Sequence, residues 1–272
     1  MSSRTSWTKV LLNLENGTIL TRTPFHWLLL LIFYTIFFSG IFALWFLCYG
    51  IFEMSLTPQR SKWLLTQPGF SFEPATTFRE NYLKIEYHEK TLKEVGGLVD
   101  HINKALGKYG QIPEEYFGEC HNHNYYGYRQ GKPCIFLKIN RIIGFKTLAL
   151  ESINDLPQDA PQELLEYLEN IPQQQLKQHI WISCDSRPSV KFMYYPQRFY
   201  KISEVDFVSV VNHSNGFYNE SDFKRIIAVQ LDNISLNVKH HIRCFLWAKN
   251  IVRDLRGKMG RGLVRFSLEI KL

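Results

Sequence analysis

The sequence lacks the short motifs that mark the commonest catalytic sites. It contains no phosphate-binding P-loop, no Gly-x-Ser-x-Gly nucleophile turn and no His-Glu-x-x-His zinc motif. An Asp-x-Asp pair, which many glycosyltransferases use to bind a metal, is also missing, and Glu204-Val-Asp206 is the nearest approach. These absences predict a protein that is not an enzyme and that has no cofactor and no small-molecule substrate of its own.

Clustered charge and metal ligands are also scarce. The net charge is +7, but Lys and Arg are scattered among Asp and Glu without a long basic run, which argues against a nucleic-acid partner. Cys120-His121-Asn-His123 lacks the paired spacing of a structural zinc site. His240 and His241 are neighbours on a predicted strand and therefore point to opposite faces. We expect no metal site.

One segment contains no charged residue. From Trp27 to Phe52 the sequence has no Asp, Glu, Lys, Arg or His. As a helix this run would be about 39 Å long, against about 30 Å of hydrocarbon in a bilayer. A cleaved signal peptide has a shorter apolar run that ends in small residues, whereas this run ends in bulky Ile51 and Phe52. The run therefore predicts a transmembrane helix that stays in the lipid bilayer as an anchor.

Cysteines and glycosylation triplets predict which side of the membrane each end occupies. Flanking charge gives only a weak bias, because basic residues lie on both sides of the run. Features typical of an oxidising, glycosylating compartment all follow it: Cys120, Cys134, Cys184, Cys244 and the acceptor triplets at Asn212, Asn219 and Asn233. We therefore predict a single-pass type II protein whose C-terminal domain is extracellular. Reduced thiols and chance triplets in a cytosolic domain are the alternative.

Changes in composition divide the chain into four parts. In order they are a cytosolic tail (1–26), the transmembrane helix (27–52), an extracellular stalk (53–77) and an extracellular β-rich domain (78–272). The stalk is predicted to be extended because Pro58, Pro68 and Pro74 interrupt both helices and long strands.

The extracellular part has mostly the patterns of short strands. Strands are predicted at residues 134–140, 226–231, 241–246 and 264–272, and the last shows the clearest alternation of apolar and polar residues. One helix is predicted in the segment 78–109 from the apolar spacing between Leu92 and Leu106, ending at Gly107 and Gly110. The Pro- and Gln-rich segment 157–175 is predicted to be a loop with at most one helical turn. The expected fold is a mainly-β, antiparallel, immunoglobulin-like sandwich with some helix.

Four cysteines after the span allow three disulfide connectivities. Sequential pairing, Cys120 with Cys134 and Cys184 with Cys244, fits a local clip and a bridge between distant strands. From loop-closure entropy the first bridge stabilises the fold by about 3 kcal/mol and the second by about 4 kcal/mol.

Several segments, in order along the chain, resemble one protein family. They are Phe33-Tyr34-Thr-Ile-Phe37-Phe38 in the apolar run, Tyr126-Gly127-Tyr128-Arg-Gln-Gly131-Lys132-Pro133-Cys134, Tyr194-Tyr195-Pro196 with Tyr200-Lys201, and Ala228-Val229-Gln230 with Asn233-Ile-Ser. Together they resemble the beta subunits of the sodium/potassium- and proton/potassium-transporting P-type ATPases. Two departures stand out. No cysteine lies between Gly50 and Glu119, so the first of three disulfides usual in the family is missing, and Gln197-Arg198-Phe199 interrupts the Tyr-rich motif.

The resemblance implies a non-catalytic subunit that pairs with a large catalytic alpha subunit. Such a subunit stabilises its partner, escorts it to the plasma membrane and modulates potassium and sodium transport. Two alternatives share the same topology: a type II Golgi enzyme of the glycosyltransferase kind, and an adhesion ectodomain that works without a pump.

Two groups of residues are hypotheses for contacts with the alpha subunit. In the membrane these are Tyr34, Phe38 and Ile41, which fall on one helix face; Ser39 and Ala43 form a small-xxx-small pair that permits close approach of another helix. In the extracellular domain they are Tyr194, Tyr195, Pro196 and Tyr200. The alternatives are lipid contact for the first group and core packing for the second.

The topology is testable through its acceptor asparagines. We expect Asn233→Gln to remove one sugar-dependent mobility step on denaturing gels, because residue 233 is predicted to enter the lumen where glycans are attached. Asn16→Gln, in the triplet before the span, is the control and is expected to leave mobility unchanged. Sugar on Asn16 and none on the three later triplets would invert the topology.

Overall fold

The computed structural model describes residues 12–13, 18–20, 22–56, 68–74, 77–79, 82–140, 142, 145–206, 222–253 and 261–272. These residues fall into two compact units, Met1–Thr57 and Pro58–Leu272.

The first unit consists of one long helix preceded by a minimal hairpin. Strands β1 (Leu12–Asn13) and β2 (Thr18–Ile19) pair antiparallel, and helix α1 covers Pro24–Ser55. Pro24 suits the start of the helix because the first helical N–H has no partner within the helix. The helix has 32 residues and is long and apolar enough to cross a membrane. It extends beyond the predicted span of 27–52 at both ends.

The second unit contains two β-sheets. The smaller sheet is antiparallel, and its strands in sheet order are β3 (Phe70–Glu73), β6 (Cys134–Ile139), β10 (Ile226–Asp232) and β8 (Lys191–Tyr195). The larger sheet has the order β4 (Thr77–Arg79), β5 (Tyr82–His88), β12 (Leu263–Lys271), β11 (His240–Trp247), β7 (His179–Arg187) and β9 (Phe199–Lys201). Its pairs are antiparallel except β12 with β5, which is parallel. The predicted mainly antiparallel β domain is thereby confirmed.

The main core lies between the two sheets. Alternate residues of each strand point inward, as a pleated strand requires. On β12 the inward residues Val264, Phe266, Leu268 and Ile270 are buried, whereas Arg265, Glu269 and Lys271 are partly accessible. Across the core the ring of Phe266 stacks on Phe72 of the smaller sheet, with centroids 4.5 Å apart.

A second cluster of buried residues covers part of the outer face of the larger sheet. Helices α3 (Gln162–Glu169) and α4 (Gln173–Leu176) contribute Leu164, Leu168 and Leu176. These pack with Trp181, Phe245, Trp247 and Leu263, which point outward from the sheet. The predicted loop at 157–175 therefore contains more helix than expected, because its leucines pair at helical spacing.

The segments around the predicted stalk and helix agree with the prediction in one respect and differ in two. Helix α2 covers Leu92–Leu106 as predicted, and buries Val95, Leu98, Val99 and Ile102. The residues before it form strands β4 and β5, which the sequence pattern did not predict. In the predicted stalk, the last part is strand β3, which pairs with β6, so the folded sheet begins at Phe70. A last short helix, α5, covers Ile202–Val205.

Two glycines inside α2 have no local steric reason to be glycine. A methyl group added at Gly96 or Gly97 would meet no atom within 4 Å. Gly127 is the opposite case, because its φ is +74° and an added Cβ would lie 2.0 Å from the carbonyl oxygen of Lys132.

These environments predict opposite effects of the same substitution. We expect Gly97→Ala to raise the free energy of unfolding by about 1 kcal/mol, because alanine is the better helix former. Gly127→Ala should lower it by about 2 kcal/mol or more, because the backbone is left-handed and the space is filled. Thermal unfolding of the full chain in detergent measures both. Destabilisation by Gly97→Ala would contradict this prediction and show that α2 does not tolerate a side chain at position 97.

Candidate partner-binding surfaces

Helix α1 presents a shallow apolar groove on one face. Small Thr35 and Ser39 line it together with larger residues that include Trp27, Leu31, Tyr34, Phe38 and Phe42. The rings of Tyr34 and Phe38 stack with centroids 6.0 Å apart. Ile41 is as exposed as Tyr34 but is not part of the groove lining. Small residues between large ones allow close approach of another helix, which is how helices associate in lipid.

The Tyr-rich segment of the β domain lies at a corner between the two sheets. Tyr194 and Tyr195 end β8 in the smaller sheet, and Tyr200 lies on β9 in the larger one. The chain crosses between the sheets at exposed Pro196, which follows a cis peptide bond. One segment thus supplies residues to both sheets, so its tyrosines lie in different environments and are described one by one.

Tyr200 is a core residue. Its side chain is 1% exposed, and its hydroxyl donates to the carbonyl oxygen of Leu137 in the opposite sheet at 2.8 Å. Burial raises the pKa of Tyr200 well above its usual range. Tyr200 therefore has the environment of core packing, which was the alternative to a partner contact, and its side chain offers almost no accessible surface.

Tyr194 also joins the sheets. Its hydroxyl accepts a hydrogen bond from the backbone N–H of Cys184, on β7, at 2.9 Å. Burial raises the pKa of Tyr194 to about 12. This hydroxyl is therefore a structural acceptor, and core packing accounts for Tyr194 better than partner contact does.

Tyr195 and Pro196 remain accessible. The Tyr195 ring lies against Gly118, where an added Cβ would approach Tyr195 Cδ1 to 2.5 Å. Gly118 has a φ of +53°, which also favours glycine. Tyr195 is half-buried and Pro196 is exposed, so the predicted patch reduces to these two residues.

Arg198 is a structural residue that sequence reasoning missed. It is 8% exposed, its Nε donates to the carbonyl oxygen of Ile182 at 2.9 Å, and its Nη1 donates to Glu163 Oε1 at 2.9 Å. Its guanidinium also lies over the rings of Tyr167 and Tyr194, 5.3 and 4.8 Å from their centroids. Arg198, one of the three residues that interrupt the family motif, thus links α3 to the sandwich. No local pattern indicates this, because its contacts with Glu163, Tyr167 and Ile182 are distant in sequence.

The two disulfides have different settings. Cys120 bonds to Cys134 across 14 residues, and Cys184 bonds to Cys244 across 60. The structure thus pairs the cysteines in sequential order. Cys184 and Cys244 are direct cross-strand neighbours on β7 and β11, with Cα atoms 4.0 Å apart. The expectation of a bridge between distant strands holds in sequence only, because these strands are adjacent in the sheet.

Of the three predicted glycosylation sites, only one lies among the described residues. Asn233 lies in the turn between β10 and β11, is exposed, and has a φ of +62°. Its backbone N–H donates to Asp232 Oδ1 at 2.9 Å, which shapes the turn. The side chain is therefore accessible to a glycosylating enzyme. Asn212 and Asn219 lie outside the described residues.

Histidines and cysteines do not assemble into a metal centre in the described part of the chain. Cys120 is in a disulfide, and His123 Nε2 lies 2.6 Å from Glu114 Oε1 on the surface.

The described residues define a class of protein. One helix is long and apolar enough to span a membrane, and the remainder forms a disulfide-bonded, mainly antiparallel β domain. This combination is that of a single-span membrane protein with one folded β domain.

Comparison with known proteins identifies the family. The sequence profile described as "Sodium / potassium ATPase beta chain" matches residues 1–115 and 108–266. The chain therefore belongs to the beta-subunit family of the sodium/potassium ATPase, whose members are accessory rather than catalytic subunits.

Individual relatives cover nearly the whole chain. Sodium/potassium-transporting ATPase subunit beta-1 of Drosophila melanogaster is 26% identical, over 95% of this chain and 92% of its own length. Subunit beta-2 of the same organism is 24% identical, over 90% and 86%. Human subunit beta-2 is 22% identical, over 97% and 93%. The resemblance seen in the short motifs thus extends from end to end.

The assignment of Tyr200 to the core predicts the effect of removing its hydroxyl. We expect Tyr200→Phe to lower the free energy of unfolding by about 1 kcal/mol, because the buried carbonyl of Leu137 loses a donor. Tyr125→Phe, at a side chain 38% exposed, is the control and should change stability by less than about 0.5 kcal/mol. If Tyr200→Phe leaves stability unchanged but weakens binding of a partner protein, the assignment of Tyr200 to the core is wrong and Tyr200 is a contact residue.

Proposed function

We propose that this chain is the non-catalytic beta subunit that pairs with the catalytic alpha subunit of a sodium/potassium-transporting P-type ATPase. In this role it stabilises the alpha subunit, escorts it to the plasma membrane and modulates potassium and sodium transport. The observation that carries the proposal is the family match over nearly the whole chain. The glycosyltransferase and adhesion alternatives have no comparable support.

The topology proposed with this function is type II, with the cytosolic tail at 1–26 and the β domain outside the cell. Both disulfides lie in the β domain, which supports an oxidising compartment. The accessible Asn233 in a surface turn supports glycosylation there. Asn212 and Asn219 are proposed as further acceptors on the same side.

In the membrane, we propose that the groove of α1 receives a helix of the alpha subunit. Association in lipid depends on shape and on van der Waals packing, since lipid tails are as apolar as the side chains. Tyr34 and Phe38 border the groove, with Thr35 and Ser39 between the larger residues. The proposed role of Ile41 is weaker, because it lies beside the groove. Outside the membrane, Tyr195 and Pro196 are the proposed contacts.

Filling the groove should weaken the complex. We expect Ser39→Leu to reduce the amount of alpha subunit that co-purifies with the tagged full chain from mild detergent, roughly fivefold or more, because a larger side chain blocks close helix approach. Gly40→Leu is the matched control, since residue 40 does not line the groove and a Cβ added there meets no atom within 4 Å.

The outcome of this co-purification decides between three explanations. Recovery of a P-type ATPase by wild type and Gly40→Leu but not by Ser39→Leu supports the proposal. Equal recovery by all three chains would contradict the role of the groove but not of the subunit. Recovery of no P-type ATPase by any chain would overturn the function itself.

A further inference from the structure

Two exposed aliphatic side chains lie on neighbouring loops of the β domain. Leu148 is 57% exposed and Val252 is 62% exposed. The backbone N–H of Lys249 donates to the carbonyl oxygen of Leu148 at 2.8 Å, and the backbone N–H of Leu148 donates to Asn250 Oδ1 at 2.8 Å. Asn250 Nδ2 also donates to the carbonyl oxygen of Lys146 at 2.7 Å. These hydrogen bonds join the two loops, and we call Leu148 and Val252 the aliphatic tip.

The aliphatic tip lies at the end of the sandwich where the chain enters it. A Cβ added at Gly262 would lie 3.1 Å from the carbonyl oxygen of Val252. Arg261, the residue before Gly262, pairs with Gly69 in a β-bridge. Gly69 directly precedes strand β3. The start of β3 and the aliphatic tip are therefore at the same end of the β domain.

The chain before β3 tethers this end of the β domain to the membrane helix. Helix α1 ends at Ser55 and β3 begins at Phe70, so the tether consists of the 14 residues 56–69. A fully extended chain covers about 3.5 Å per residue, which limits the tether to about 50 Å. Tethering gives a group an effective concentration on the order of mM at the surface within its reach. A surface too small to bind lipid on its own can therefore dock on the bilayer that α1 spans.

We propose that the aliphatic tip docks on the phospholipid surface of this bilayer, with Leu148 and Val252 at the boundary between headgroups and acyl chains. Aliphatic side chains are stabilised there by the apolar area that they remove from water. Lys146 is exposed on the same loop as Leu148. Its apolar stem suits the same boundary, because a lysine keeps its ammonium group among the headgroups while its methylene groups lie against apolar surface.

Charged side chains that flank the aliphatic tip form ion pairs within the β domain. Lys249 Nζ lies 2.9 Å from Glu151 Oε1 and 3.1 Å from Asp155 Oδ2. Arg253 Nη2 lies 2.9 Å from Asp159 Oδ1. Because these charges are matched by one another, the docking is assigned to apolar contact with neutral phospholipid. Salt screens attraction between exposed charges, so docking of this kind should depend little on ionic strength.

The chemistry of the aliphatic tip favours lipid over a protein partner. Protein interfaces are anchored mainly by Trp, Tyr and Arg, whereas Leu and Val are under-represented among their anchors. The contacts proposed for the alpha subunit, Tyr195 and Pro196, follow the first pattern and lie at the end of β8 in the smaller sheet. Val252 instead follows β11 of the larger sheet. The lipid contact goes beyond the proposed function, since it requires the membrane helix and not the alpha subunit.

The test measures contact between residue 252 and lipid in the full chain, reconstituted into phosphatidylcholine vesicles. A fluorophore is attached to the Val252→Cys chain, which also carries Cys48→Ser, and brominated phosphatidylcholine is the quencher. The matched control carries the same fluorophore at Leu272→Cys. Leu272 is 61% exposed and follows the last residue of β12, whereas Gly262 precedes the first, so the control lies at the other end of the strand. A third chain adds Leu148→Ser to the chain labelled at residue 252.

We expect lipid quenching at residue 252 to be about threefold stronger than at residue 272, because only the first label lies at the lipid boundary. Leu148→Ser should reduce the quenching at residue 252 by about half, because the tip loses apolar area. A fivefold rise in ionic strength, or about that, should leave the quenching unchanged. Melting temperatures check folding, and the comparison of residues 252 and 272 stands even if Leu148→Ser unfolds the domain.

Three results would overturn the proposal. The first is equal quenching at residues 252 and 272. The second is quenching that appears only with anionic lipid and disappears in salt, which would show attraction by charge. The third is a label at residue 252 that lipid does not quench but that the co-reconstituted alpha subunit protects from iodide in water, which would assign the tip to a protein contact. Co-purification of the alpha subunit is measured in parallel, so failure here is distinguishable from failure of the proposed function.

Discussion

Two tyrosine hydroxyls cross the interior of the sandwich, and the placement of much of the β domain depends on them. Tyr194 accepts from the backbone of Cys184, and Tyr200 donates to the backbone of Leu137, so each sheet is hydrogen-bonded to the other. Buried hydroxyls without partners would be costly, which restricts the sheets to positions that satisfy both. Because the chain passes from one sheet to the other between these residues, the corner at Pro196 is fixed as well. The Tyr-rich segment, which resembles a docking motif in the sequence, thus contributes hydrogen bonds that hold the two sheets of the sandwich in position.

The same alignment divides the outer face of the larger sheet. Arg198, next to that corner, links Glu163 of α3 to the carbonyl of Ile182, and so holds the helical segment over one part of the face. Trp247 lies beneath this cover, with the Arg253 guanidinium 4.1 Å from its ring centroid. The remaining part carries Arg187, His241, Arg243 and Arg265 and, beside them, the ion pairs of Lys84 and Lys271 with Glu86 and Glu269. One sheet thus has a buried region and a charged, accessible region on a single face, and strand register decides to which region each residue belongs.

Membership of the beta-subunit family does not explain every local feature of this chain. No cysteine lies between Gly50 and Glu119, so the strands β3, β4 and β5 are held without a disulfide of their own. Pairing with β6 and β12 gives them backbone hydrogen bonds instead. Burial of Phe70, Phe72, Ile85 and Tyr87 adds apolar stabilisation. The cross-strand position of Cys184 and Cys244 likewise reinforces a sheet that is already paired.

The sequence by itself determined the parts of this protein that depend on local pattern. An uncharged run long enough to cross hydrocarbon predicted α1, apolar residues at helical spacing predicted α2, and alternation predicted β12. Short strands such as β3 and β4 gave no such signal, because their few residues acquire their pattern only from the strands beside them. Only the tertiary structure placed Tyr200 in the core, gave the half-buried Tyr194 its hydrogen bond to the opposite sheet, gave Arg198 its partners and brought Arg187, Arg243 and Arg265 to one face. Their environments come from strands that are adjacent in space and distant along the chain, and cross-strand register is set by the packing of the whole core.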